Sequence, residues 1–272
     1  MDRCVGCVDR SERRFPCDLR LGDCLDVLPI IQDRSVDMVL TDLPYGVLSR
    51  SSESSAWDCE IPLEPLWENL LRVAKPRAAI VLFAQGMFTA RLMLSQPKLW
   101  RYNLVWNKVR ASGFLNANRM PLRSHEDICI FYRALPSYTP QREKSGKGKA
   151  SHSRGRIDKP VTNSCYGRFA ISEGGDLSMK HPKSILTFMR EPPTAIVHPT
   201  QKPVALCRWL VRAYSRPGET VLDATMGCGS TGVACMEEGR RFLGIEKDER
   251  YFSVARSRIE KAAGRPRQGE LF

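Results

Sequence analysis

Thr220-Val-Leu-Asp-Ala-Thr-Met-Gly-Cys-Gly-Ser-Thr-Gly232 decides the fold. An apolar run ends in an acid, Asp223, and a turn follows with Gly227-x-Gly229-x-x-Gly232. Ser230 to Glu238 then has the composition of a helix. Glycines at such a turn allow a tight bend and let a ligand approach backbone amides at a helix N-terminus. Glu246 closes the next apolar run, Arg241 to Ile245, nineteen residues after Gly227. An acid there reaches ribose hydroxyls in nucleotide-binding α/β folds.

Only 26 residues follow Glu246, room for one helix (Asp248 to Ala262) and a tail. The strands that complete the sheet must therefore come from earlier in the chain, and a nicotinamide-dinucleotide domain, which begins with this unit, fits poorly. Upstream, Ser35 to Thr41 reads as a buried strand that ends at Asp42-Leu-Pro-Tyr-Gly46. A Ser-rich loop spans Ser49 to Ser55, and Leu63 to Ala74 is a helix that stops before Pro76. Ala78 to Ala84 reads as a strand, Gly86 to Ser95 as a helix, and Tyr102 to Trp106 and Ile128 to Tyr132 as strands. The pattern fades from Pro136 to Arg190 and returns with a helix over Pro203 to Tyr214 and a strand over Glu219 to Asp223.

The 272 residues are 42% hydrophobic, enough for a core of one large domain with an insertion, which excludes a wholly disordered chain. No apolar run approaches a membrane span, and Met1 to Arg20 lacks the apolar region of a signal peptide. A soluble cytoplasmic protein with no membrane partner is expected. The ten cysteines are scattered. Cys4-x-x-Cys7 lacks the second close-spaced pair of a zinc site, so no metal is expected. The net charge is +12, and Gln141 to Arg190 holds eleven Lys/Arg against four Asp/Glu, a balance of +7. Such an excess favours a polyanionic partner, nucleic acid first among them.

The motifs together resemble the amino-group DNA methyltransferases. Asp42-Leu-Pro-Tyr45 resembles their Asp/Asn/Ser-Pro-Pro-Tyr motif, and Asp223 to Gly232 resembles their S-adenosyl-L-methionine motif. His198-Pro-Thr-Gln-Lys-Pro203 matches the segment before that motif in one subgroup. Gly22-Asp-Cys24 and Arg123-Ser-His-Glu126 extend the match over most of the chain. The order is that of the β class. The resemblance implies a circularly permuted Rossmann-like α/β fold with an inserted target-recognition region.

By this resemblance, Asp42 and the carbonyl of Leu43 accept the hydrogens of an exocyclic amine, Pro44 stiffens the turn, and Tyr45 stacks on a flipped base. Asp223 and Gly227 to Gly229 line the cofactor's methionine part, with Thr225 beside them. Glu246 takes the ribose hydroxyls, and Asp23 next to Cys24 takes the adenine. Ser230, Thr231, Thr200 and Lys202 are candidates for the cofactor carboxylate, although Thr200 and Lys202 equally suit helix capping before Pro203. His125-Glu126 holds the target pocket or is a plain buried polar pair. DNA contacts are expected from Trp57, Lys108, Arg119, Arg123, Lys144, Lys147, Lys149, Arg154 and Arg156. The stretch Phe114 to Pro121 lies beside DNA or at a dimer contact. Two departures stand out: Leu43 replaces the family's first proline, and Ala224-Thr225 replaces its Pro-Phe.

The expected organisation is a tail (1–17), a catalytic part (18–135), a basic recognition insertion (136–195), a cofactor-binding part (196–263) and a second tail (264–272). Asp at the first motif position favours transfer to adenine N6 in double-stranded DNA. Cytosine-N4 transfer, an RNA substrate and a DNA-binding regulator on a decayed scaffold are the alternatives. A bacterial or phage-encoded homodimer, of the kind found in restriction-modification, completes the expectation.

Overall fold

The computed structural model describes residues 17–46, 59–144, 161–163, 167–169, 179–192, 194, 196–198 and 200–264. The expectations for Cys4, Cys7, the Ser-rich loop, Trp57, Lys147, Lys149, Arg154 and Arg156 lie outside them. The chain divides into two units, residues 1–139 with 184–272, and residues 140–183.

The first unit is built on an eight-stranded sheet. In chain order its strands are β1 (Cys17–Leu21), β2 (Val36–Asp42), β3 (Ala74–Ala84), β4 (Trp100–Ser112), β5 (Arg123–Phe131), β10 (Ile185–Thr187), β11 (Thr220–Asp223) and β12 (Arg241–Glu246). In space the order is β1-β12-β11-β2-β3-β5-β4-β10. β5 pairs antiparallel with both its neighbours, and the other pairs are parallel. The helices are α1 (Cys24–Val27), α2 (Leu63–Val73), α3 (Met87–Ser95), α4 (Val204–Tyr214), α5 (Ser230–Glu237) and α6 (Glu249–Ala263). No described helix is long and apolar enough to cross a membrane.

Both faces of the sheet are buried, and the strands show it by continuous apolar runs rather than alternation. Met38, Leu40, Val81, Phe83, Ile128 and Ile130 share one core with α4, α5 and α6. Their immediate neighbours Val39, Ile80, Leu82, Cys129 and Phe131 share the other with α2 and α3. That is the period of two of a strand, read across three strands at once.

The smaller unit carries β6 (Glu143–Lys144) paired antiparallel with β9 (Met179–Lys180), and β7 (Val161–Asn163) paired antiparallel with β8 (Gly167–Phe169).

The element expectations hold with shifted ends. β4 runs on to Ser112, and β5 starts at Arg123. β1 and β10 were missing from the sequence reading; both are short strands at the two edges of the sheet.

Candidate active site

Parallel strands bring their C-terminal ends to one edge, where ligands of open α/β sheets bind. β2 ends there in Asp42, β11 in Asp223 and β12 in Glu246, with Gly22 just past β1. The antiparallel β5 brings its beginning to the same edge, since Asp127 pairs with Ala84. Its Glu126 pairs with Trp106 of β4, which delivers Lys108. A cavity of about 640 Å³ opens here. Its wall includes Asp23, Cys24, Asp42, Leu43, Pro44, Tyr45, Lys108, Arg123, Thr200, Lys202, Asp223, Thr225, Gly227, Ser230, Thr231 and Glu246. Thus residues named from seven separate stretches of sequence face one space. Gln85 and Arg190, which no motif marked, line it too, as do Asn116 and Met120 of the stretch Phe114 to Pro121.

At the glycine-rich end, Gly227 has φ +51°, and a Cβ there would meet nothing within 4 Å. The backbone is therefore open to close approach by a ligand. Gly227 N donates to Glu246 Oε2 at 2.8 Å and Asp248 N to Oε1 at 2.8 Å, which fixes the carboxylate at the strand end. Burial still pushes Glu246 above its ordinary value against these two bonds. Ser230 and Thr231, at the N-terminus of α5, are buried. Gly229 is absent from the cavity wall; a Cβ there would come within 3.1 Å of the Ala255 backbone, so its absence lets α6 pack close. Asp23 caps α1 by accepting from Leu25 N at 2.9 Å. Burial raises Cys24 to about 12 and Asp223 to about 7, the latter against bonds from Thr231 and Thr225 N.

Thr225 ties the two ends of the cavity together. Its hydroxyl donates to the Asp42 carbonyl at 2.8 Å, and Ala224 N donates to Thr41 Oγ1 at 3.0 Å. At the Asp42 end, Tyr45 OH donates to Asp42 Oδ1 at 2.9 Å, and the Tyr45 ring lies 5.2 Å from that of Phe88. Leu43 is buried in the core.

Lys202 stands apart from its sequence expectation. Its Nζ bonds Asp42 Oδ2 and lies 3.4 Å from Glu126 Oε2. It also faces the rings of Phe83 and Tyr45, at 5.1 and 5.7 Å. Burial raises the Asp42 carboxyl, Glu126 adds to that, and Lys202 opposes it. Burial alone would lower Lys202, but the two carboxylates outweigh it and raise it. Thr200 is occupied by His198, whose Nδ1 accepts from Thr200 N at 3.2 Å. Burial and then Lys202 lower His198 to about 4.

The residues expected at DNA divide. Lys108 is only 5% exposed and spends its charge on Glu126 Oε1 at 2.6 Å, so it is a wall of the cavity and not a surface cation. Arg123 lines the cavity mouth and bonds Gln85 Oε1 at 3.3 Å. Arg119 is exposed just beyond the short 3-10 turn Phe114–Asn116 and is absent from the wall. Lys144 is exposed on β6 of the smaller unit. His125 is exposed, whereas Glu126 pairs with the buried Lys108 and Lys202, so of the two residues expected as a buried polar pair only Glu126 turns inward.

Similarity to known proteins runs over most of the chain. Type II methyltransferase M.HinfI of Haemophilus influenzae is 24% identical over 276 residues, covering 92% of this chain and 70% of that protein. The solved M1.HpyAVI–SAM complex superposes with a TM-score of 0.58 at 20% identity, covering 89% of this chain and 99% of that one. PvuII DNA methyltransferase, cytosine-N4-specific, superposes with a TM-score of 0.64 at 14% identity, covering 90% and 89%. Residues 36–257 match the family model for N6/N4 DNA methylases, and the chain belongs to that family of amino-group DNA methyltransferases.

Proposed function

We propose that the chain transfers the methyl group of S-adenosyl-L-methionine to the N6 amino group of adenine in double-stranded DNA. The observation that carries this reading is one cavity with Asp42 at one end and the Gly227 turn with Glu246 at the other. The open backbone at Gly227, the buried hydroxyls of Ser230 and Thr231 and the fixed Glu246 carboxylate fit the cofactor's methionine and ribose parts. When bound, S-adenosyl-L-methionine supplies a methyl group already activated by its sulfonium sulfur.

The chain's own work is to prepare the amine. An exocyclic amine shares its lone pair with the ring and is a poor nucleophile. Asp42 accepts one of its hydrogens and the Leu43 carbonyl the other, which draws the lone pair outward and stabilises the charge that develops on nitrogen. Tyr45 stacks on the base that leaves the duplex. Leu43 in place of proline keeps the carbonyl, and the buried side chain helps to hold the turn that aims it. Asp at position 42 is the feature that favours adenine.

The test is to incubate DNA with labelled cofactor, digest to nucleosides and identify the labelled base. Label in N6-methyladenine is expected. Label in N4-methylcytosine overturns the choice of base, and DNA without label overturns the transferase reading. Asp42→Ala should slow transfer by about a thousandfold or more while the cofactor Kd stays within about threefold.

A further inference from the structure

Four charged side chains from four parts of the chain meet in one row, and the proposed catalytic carboxylate, Asp42, is one of them. Lys202, just before α4, bonds Asp42 Oδ2. The same Nζ lies 3.4 Å from Glu126 Oε2, which accepts no well-aligned hydrogen bond among the described residues. Lys108 of β4 closes the row on Glu126 Oε1 at 2.6 Å. The charges balance, and the two lysines are only 5% and 7% exposed. Burying such a row gains little stability over apolar residues of the same volume, so stability is a weak reason for it. Its chemical effect is specific. One cation is divided between two carboxylates, and one of these is Asp42.

We propose that Lys202 is a positioning residue that keeps Asp42 an acceptor on both oxygens and fixes its Oδ2 edge, and that Glu126 sets how much of that cation Asp42 receives. The inference rests on the amine-methylation reading above. A protonated Asp42 would carry a hydrogen where an acceptor is needed, and burial pushes it that way. Lys202 counteracts burial from one side. Tyr45 OH, on Oδ1, holds the other oxygen, so the carboxylate has a single orientation toward the cavity.

The charges that face Asp42 are Lys202, Glu126 and Tyr45, with Asp223 of β11 and Cys207 of α4 near enough to feel it. Lys202 in turn faces His198. The effect of each substitution on Asp42 therefore has a definite sign. Lys202→Met removes the cation and leaves Asp42 beside Glu126, so Asp42 ionises at higher pH. Glu126→Gln removes the competing anion, so Asp42 ionises at lower pH. Lys202→Arg keeps the charge and leaves the ionisation close to that of the unaltered chain.

The experiment is kcat against pH at saturating cofactor and DNA for the unaltered chain, Lys202→Met, Lys202→Arg and Glu126→Gln, with the cofactor Kd from calorimetry. The acid limb should move up by about one pH unit in Lys202→Met and down in Glu126→Gln. The cofactor Kd should stay within about threefold in all of them. Limbs that stay put, or move the same way in both variants, overturn the inference. So does a Lys202→Met variant that loses cofactor affinity with its limb in place, which would return Lys202 to the cofactor carboxylate. Should Lys202→Met fail to fold, Glu126→Gln against Lys202→Arg carries the same comparison. Carboxyl-carbon NMR of Asp42 reports the ionisation without turnover. A chain that shows the expected NMR shifts but no transfer to DNA therefore fails the methyltransferase reading alone.

Discussion

Thr225 occupies a position where the family pattern has an aromatic residue, and its hydroxyl shows what this chain does there instead. It donates to the Asp42 carbonyl, so the turn of β11 and the end of β2 are held by a side-chain bond and not by ring packing. Thr225→Val keeps the shape and removes the bond. It should lower stability by about 1 kcal/mol and slow transfer more than it weakens cofactor binding, since the bond is on the Asp42 side. Urea unfolding and steady-state kinetics on the same preparation would check both. Individual site residues were legible where a motif fixed backbone and side chain together, as at Asp42, Asp223 and Glu246. Lys202 was expected at the cofactor carboxylate or as a cap before α4, and in the structure its Nζ bonds Asp42 Oδ2. It lies 160 residues from Asp42, and only the tertiary fold shows that its side chain reaches back. The burial of Lys108 was hidden for the same reason: a lysine in a polar run reads as exposed until Glu126 is seen across the strand pair.

Among the elements, α5 depends on a missing side chain. A Cβ on Gly232 would lie 2.4 Å from Ile259 Cδ1 of α6 and 2.7 Å from Phe242 Cε1 of β12. Helix propensity alone would favour alanine over glycine by roughly 1 kcal/mol. The clash decides instead, because interiors this dense resist added volume. Gly232→Ala should therefore destabilise the chain by about 1–3 kcal/mol, read as a lower unfolding midpoint in urea. α2, α4 and α6 were legible because each has a clear apolar face, and α6 also has Asp248 as its N-cap, accepting from Arg250 N and Tyr251 N. The edge strands were not. β1 reads Cys-Asp-Leu-Arg-Leu and β10 Ile-Leu-Thr, too short or too polar for a local signal. The far half of β4, Asn107 to Ser112, is likewise polar; it is a strand because β5 pairs with it.

For the whole molecule, charge is the property that composition announced, and its distribution gives a measurement. If Lys144, Lys147 and Lys149 each neutralise a phosphate, replacing all three by alanine should flatten the slope of log K against log salt by up to about 2.7. Filter binding or anisotropy across a salt series would read it, and an unchanged slope would remove the basic segment from the DNA interface. The late position of the Gly-rich strand was also legible as an arrangement: β11 and β12 close the sequence yet sit between β1 and β2. What happens between residues 140 and 183 was not, since its strands are two or three residues long.

The way that segment leaves and rejoins the larger unit has a consequence of its own. Just before it, Thr139 N bonds the Ala213 carbonyl at 2.9 Å. Just after it, Val105 N bonds the Ser184 carbonyl at 2.8 Å, and β10 follows at the sheet edge. Both doorposts belong to the larger unit. Lengthening such an excursion costs free energy only logarithmically, about 0.6 kcal/mol for each doubling. Inserting residues there is therefore expected to leave the urea unfolding midpoint of the larger unit nearly unchanged, a tolerance to length that a compact element would not have.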